Sequence, residues 1–241
     1  MTDLRKSIAS EIRALMRLIY HRIYISTKLK KSIKDQFCVL IFDSPIVDKV
    51  CFNTNVFWLG IPLRKCPMDL WIYQEIIHHL EPDIIIECGT SYGGSALFLA
   101  SICDLVNNGT VITIDIEDIA NKPRHKRIKY LHGSSTSQEI VEQIQKLIAP
   151  KDKVMVILDS DHHKEHVLDE LRIYSQFVTK GSYLIVEDTV LNGHPVRPDF
   201  GPGPMEAVEE FLKENKIFTV DQDKEKFYVT FNPKGYLRKL E

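Results

Sequence analysis

Short runs of isoleucine and valine recur down this chain, each closed by an acidic residue, and they constrain its fold more than any other feature. Ile84-Ile85-Ile86 runs into Glu87, and Val111-Ile112-Thr113-Ile114 runs into Asp115. Val154–Leu158 runs into Asp159, and Tyr183–Val186 runs into Glu187-Asp188. Helical patterns are expected between them, near 67–80, 94–103, 137–148, 164–178 and 204–215, with one more short strand over 128–131. Strands that are apolar on every residue and alternate with helices are parallel strands buried on both faces. Two final strands are expected over 217–220 and 226–231. The connection between them, 221–225, is too short for anything but an antiparallel pair.

In such a sheet ligands bind beyond the carboxyl ends of the strands, near the point where the strand order reverses. Acidic groups at four of those ends converge on one rim. They repel one another unless a ligand or a metal compensates them.

Composition narrows the classes. The chain has 241 residues, 44% hydrophobic and 27% charged, which suits one globular domain with an appended segment. A net charge of −2 argues against a nucleic-acid binder that relies on a global positive field. Cysteines at 38, 51, 66, 88 and 103 form no CxxC pair. That pattern fits neither a disulfide scaffold nor a zinc ribbon and predicts a cytoplasmic protein. The apolar stretch Ile12 to Ile25 is interrupted by Arg13, Arg17, His21 and Arg22. It therefore reads as neither a signal peptide nor a membrane span.

The first strand leads into Glu87-Cys88-Gly89-Thr90-Ser91-Tyr92-Gly93-Gly94-Ser95. Gly89 lets the backbone turn sharply, and Gly93 and Gly94 let a ligand approach the start of the next helix. The spacing matches neither a P-loop nor GxGxxG. Asp115, 26 residues beyond Gly89, stands where an acid can take both hydroxyls of a ribose. Together these features predict an adenosine-containing cofactor without separating NAD from S-adenosylmethionine.

The same segments, with Leu158-Asp159-Ser160-Asp161-His162 and Val186-Glu187-Asp188, resemble the class I S-adenosylmethionine-dependent methyltransferases. Trp58-Leu59-Gly60-Ile61-Pro62, Cys66-Pro67-Met68-Asp69-Leu70-Trp71 and Gly201-Pro202-Gly203-Pro204 narrow the resemblance to the cephalosporin hydroxylase / rhamnosyl O-methyltransferase family, over about 55–235. The resemblance implies a Rossmann-like α/β fold. Its mostly parallel seven-stranded sheet would end in a C-terminal antiparallel hairpin, with helices on both faces. It also implies residue roles. Glu87 and Gly89 would line the methionine end of S-adenosylmethionine, and Ser91 and Ser95 would hold its carboxylate. Asp115 would bind the ribose, and Ser134 and Ser135 would lie beside the adenine. Asp159, Glu187 and Asp188 match the positions that bind Mg²⁺ or another divalent cation, with Asp161 a fourth candidate. His162 stands where related catechol-type enzymes carry a lysine base, and an imidazole can do that work near neutral pH.

The expected function is metal-dependent methyl transfer to a hydroxyl of a sugar, glycolipid or secondary metabolite. An iron-dependent hydroxylase and a nicotinamide-dependent oxidoreductase are the alternatives. The loop 191–204, with His194, Arg197 and Asp199, is placed to cover the substrate. His163 and His166 stand at the start of the next helix, His166 reading as helix surface and His163 as either surface or a support behind the ligands.

Residues 1–60 read as a basic helical cap segment and 61–241 as the methyltransferase domain. Residues 1–34 carry nine Lys/Arg against Asp3 and Glu11. Leu4, Ile8, Ile12, Leu15, Ile19 and Ile23 recur at helical spacing, predicting one amphipathic basic helix. Such a stripe marks an interface in a homo-oligomer or, alternatively, peripheral contact with an anionic membrane.

Overall fold

Seven strands form one sheet in the order β5-β4-β3-β6-β7-β9-β8. They are β3 (Ile84–Cys88), β4 (Thr110–Asp115), β5 (Ile128–His132), β6 (Val154–Leu158), β7 (Tyr183–Val186), β8 (Phe218–Val220) and β9 (Tyr236–Lys239). The computed structural model describes residues 2–47 and 56–240. The pairs from β5 through β7 are parallel, and β9 runs antiparallel to both β7 and β8. This is the expected fold class. A small hairpin, β1 (Phe57–Trp58) with β2 (Ile61–Pro62), stands apart from the sheet and was not expected from the sequence.

Helices cover both faces. Helices α3 (Pro67–Leu80) and α4 (Gly94–Leu105) bury Ile72, Ile76, Ile77, Phe98 and Leu99 against one side of the sheet. Helices α5 (Gln138–Leu147), α6 (Lys164–Tyr174) and α7 (Pro204–Glu214) bury Ile140, Leu168, Leu171, Val208 and Phe211 against the other. This two-sided cover is why β3 and β6 are buried at every position. Helix α6 ends at Tyr174, short of the expected 178. There the Ser175 and Gln176 side chains turn back onto the Arg172 carbonyl.

The last strand differs from expectation. Residues 222–225 form a 3₁₀ turn, 226–231 lie outside the sheet, and Tyr236–Lys239 pairs instead. Strand propensity in 226–231 is overridden by a buried acid. Asp69 accepts from Phe231 N (2.9 Å), the Thr230 hydroxyl (2.5 Å) and the Tyr236 hydroxyl (2.7 Å). Asp69→Ala would leave these three buried donors without acceptors. It is expected to cost about 3 kcal/mol, read as a lower urea midpoint at unchanged slope.

The chain divides into two compact units, residues up to Phe37 and residues from Cys38 onward. The first holds α1 (Thr2–Tyr24) and the start of α2 (Thr27–Val47). The single helix expected over 1–34 is therefore two helices. Ser26 breaks it by capping α2, its hydroxyl accepting from Leu29 N at 3.2 Å.

Candidate active site

The strand order reverses between β3 and β6, which pair Cys88 with Leu158. The turn after β3 and the turn after β6 are thus neighbours. At Gly89, φ is +102°, and a Cβ there would lie 2.0 Å from the Asp159 carbonyl oxygen. Only glycine permits this approach, so the residue serves the contact between the two loops as well as the turn.

A cavity of about 700 Å³ opens over these strand ends. Its lining includes Gly89, Ser91, Ser95, Asp115, Ser134, Ser135, Asp159, His162 and Asp188 from the expected set. Glu87 and Glu187 lie beneath it, 0% and 4% exposed.

The glycine loop is held by Asp115. Its Oδ2 accepts from Thr90 N (3.0 Å) and Ser91 N (2.7 Å), and its Oδ1 accepts from Glu117 N (2.9 Å). Both lone pairs of Oδ2 are taken by the two loop amides, and Oδ1 keeps one for a ligand hydroxyl. Ser91 sits in the left-handed region at φ +46°, which aims the loop toward the start of α4. The first-turn amides of α4 have no helical acceptors and suit an anion. Below the loop, Glu87 Oε2 accepts from the Thr113 hydroxyl at 2.7 Å, while Oε1 is buried without a hydrogen-bond partner. Burial pushes the Glu87 pKa up, opposed by the Lys65 ammonium and the Ser95 hydroxyl.

At the ends of β6 and β7 the acids divide. One ligand atom each from Asp159, His162 and Asp188 lies within 4.8 Å of the others. His162 Nε2 is 3.3 Å from Asp188 Oδ2 and 4.0 Å from Asp159 Oδ1. Glu187 is not brought into this group. Its Oε1 accepts from Lys65 Nζ (2.5 Å) and from the Tyr73 hydroxyl (2.8 Å). Lys65 also donates to Asp159 Oδ2 at 2.5 Å. Burial alone would lower the Lys65 pKa, but Asp159, Glu187 and Glu87 more than offset it, and the ammonium stays charged. Burial and the nearby Asp159 charge push Glu187 well up. Asp188 is raised to about 6, by burial first, with His162 opposing.

Asp188 takes a left-handed backbone at φ +55°, and its N–H donates to Asn232 Oδ1 at 3.0 Å. Asn232 Nδ2 in turn donates to the Tyr73 hydroxyl at 3.1 Å. The Thr230 hydroxyl, bound to Asp69, accepts from Asn232 N at 2.9 Å, so Asp69, Thr230, Asn232, Tyr73, Glu187, Lys65 and Asp159 form one connected support beneath the cavity.

Sequence reasoning missed several cavity residues and their supports. Lys65 stands just before α3 in Leu63-Arg64-Lys65-Cys66, with no local pattern that marks it as buried. The only signal was the need of converging acids for a cation. Glu117 borders the cavity two residues past Asp115. His166, expected on the helix surface, also lines the cavity. Its Nε2 is 3.3 Å from the Ser135 hydroxyl and 3.4 Å from Glu170 Oε1. Arg64 stacks its guanidinium over the Tyr92 ring at 5.3 Å, and both line the cavity.

Other expectations fall differently. Arg197 reaches the cavity, but His194 is drawn away to Glu206 at 2.8 Å. Asp161 lines the cavity with Oδ1 bound to His163 Nδ1 at 2.5 Å, and the His163 ring stacks on Phe200. Phe42, Leu191, Phe200 and Phe231 form an apolar cluster along the cavity wall.

The Glu170 hydrogen bond raises the His166 pKa above its usual value. A raised folded-state pKa gives stability that is complete below about pH 6.5 and is lost as pH rises through the folded value. Melting temperature is therefore expected to fall across that window in the wild type. In His166→Gln that slope should flatten.

A family model described as Rhamnosyl O-methyltransferase/CmcI matches residues 50–240. The rhamnosyl O-methyltransferase of Mycobacterium tuberculosis (strain ATCC 25618 / H37Rv) is 41% identical over 191 residues, covering 76% of this chain and 78% of that one. The rhamnosyl O-methyltransferase of Mycobacterium leprae (strain TN) is 40% identical over 195 residues, covering 77% and 83%. Among solved structures, CmcI with Mg and SAM superposes with a TM-score of 0.60 at 18% identity, over 78% of each chain. That likeness is one of fold.

Proposed function

This chain belongs to the rhamnosyl O-methyltransferase/CmcI family, and from that premise we propose that it moves a methyl group from S-adenosylmethionine to a hydroxyl of a sugar, glycolipid or secondary metabolite, with the help of Mg²⁺ or another divalent cation. One observation carries the reading. Two carboxylates and an imidazole converge at one part of the cavity that Asp115 and the glycine loop also line.

The residues present suit both groups. The α4 amides with Ser91 and Ser95 match a carboxylate, Asp115 with Glu117 matches ribose hydroxyls, and Ser134 and Ser135 with His166 match a polar aromatic base. Glu87 and Gly89 border the methionine end. Asp159 and Asp188 supply the hard oxygen donors that Mg²⁺ takes. Glu187 stays in the proposed ligand set, since a cation and the Lys65 ammonium compete for the same carboxylates. The donors include one imidazole rather than two, which argues against the facial triad of an iron-dependent hydroxylase.

Bound S-adenosylmethionine supplies an electrophilic methyl group. A bound cation makes an acceptor hydroxyl more acidic. The protein aligns the acceptor oxygen with the methyl carbon and takes up the proton, for which His162 Nε2 is the proposed acceptor. Arg197 and the Phe42–Phe200–Phe231 wall line the cavity and would border the acceptor.

We assign the methyltransferase domain to 61–241 and a basic cap segment to 1–60. The buried thiols Cys66, Cys88 and Cys103 support a reducing, cytoplasmic setting. Cys51 lies outside the described residues.

Calorimetry tests the cofactor assignment. Asp115→Ala is expected to weaken S-adenosylmethionine binding by about 10–100-fold, the value of hydrogen bonds to a charged group. A retained melting temperature in Asp115→Asn separates lost ligand contacts from a collapsed loop. Unchanged affinity would remove Asp115 from the site, and preferential binding of NAD(H) would overturn the methyltransferase reading.

A further inference from the structure

Helix α1 is amphipathic and carries its apolar side in the open. Ile8, Ile12, Leu15 and Ile19 follow a 4-3-4 spacing that places them on one face, and each is between 48% and 57% exposed. Arg13 and Arg17 fall on the opposite face, and Arg22 lies at the edge of the stripe. Tyr20 and Tyr24 stack at 4.3 Å near the end of the helix, both exposed. The start of α2 repeats the pattern, with Leu29, Ile33 and Phe37 exposed on one face and Lys28 and Lys31 exposed on the opposite one.

The charge is lopsided. Residues 1–34 hold nine Lys/Arg against two acids, while the rest of the chain holds 22 against 31. Among the described residues no helix is long and apolar enough to cross a membrane.

We propose that α1 and the start of α2 form a docking surface for an anionic lipid bilayer, lying in its interface rather than spanning it. An exposed apolar stripe of moderate strength, a cationic opposite face, flanking arginine and tyrosines at the helix end together match the headgroup boundary. Anionic headgroups supply the charge that this segment lacks. The same net charge works against a second copy of the segment, because like charges would meet. The proposal is independent of the methyltransferase reading.

The test is co-sedimentation of the full chain with phosphatidylcholine–phosphatidylglycerol vesicles and with pure phosphatidylcholine vesicles. Binding to the anionic vesicles is expected to be at least about tenfold tighter and to weaken as salt is raised. Ile12→Glu with Ile19→Glu should remove it. Because that pair also perturbs the helix face, Arg13→Gln with Arg17→Gln serves as the second variant and should weaken only the anionic preference. Both variants should keep wild-type affinity for S-adenosylhomocysteine, or for whatever cofactor the wild type binds. Absence of binding to anionic vesicles at low salt, or equal binding to both vesicle types, would overturn the proposal. So would a stable dimer in sedimentation velocity that Ile12→Glu dissociates while vesicle binding is absent. That result would assign the face to a second copy.

Discussion

Asp188→Asn is expected to lower methyl transfer by at least about 100-fold while making the metal-free protein more stable. Both effects have one cause. Asp188 adjoins Asp159 and Glu187, which already share a single buried lysine, and burial raises its pKa to about 6. A carboxyl whose folded pKa lies above its unfolded value destabilises the fold once pH exceeds both. At neutral pH the penalty is about 3 kcal/mol. Asparagine removes the charge and tolerates the left-handed backbone at φ +55°, so the penalty should vanish without a new strain. Thermal melting without divalent ions should show the gain, and added Mg²⁺ should stabilise the wild type more than the variant. A variant that is both less stable and still fully active would contradict this account.

His162→Ala is expected to reduce turnover by about 10²–10⁴-fold, the usual loss of a general base, with S-adenosylmethionine affinity nearly unchanged. Its Nε2 lies 3.3 Å from Asp188 Oδ2, and the ring lines the cavity. The same proximity makes His162 a candidate ligand, and kinetics separate the two roles. A lost base leaves cation affinity close to wild type and turnover low at every cation concentration. A lost ligand gives turnover that recovers at saturating cation. The first pattern is expected. Recovery at saturating Mg²⁺ or Mn²⁺ would reassign His162 to the metal.

The sheet was legible because its information is local. Continuous Ile/Val runs ending in acids identify β3, β4, β6 and β7 and the rim they share, and helical spacing locates α3 to α7. Legibility stopped where distant side chains decide. The stretch 226–231 has good strand propensity, yet Asp69, more than 150 residues earlier, claims its backbone and keeps it out of the sheet. Lys65 and Tyr73 hold the Glu187 carboxylate that the family resemblance groups with Asp159 and Asp188. His166 looks like a helix-surface residue until Ser135 and Glu170 are seen to hold it at the cavity. A charge partner across the sheet leaves no periodic trace in the chain, whereas burial on a helix or strand does.

The most direct test of the central claim is a crystal structure of the wild-type protein with S-adenosylhomocysteine and Mn²⁺, read by anomalous scattering. One manganese peak bound by Asp159, Glu187 and Asp188 is expected, with the nucleoside against Asp115 and the amino-acid end at the start of α4. An empty acid cluster beside bound S-adenosylhomocysteine, or no S-adenosylhomocysteine in the cavity at all, would contradict it.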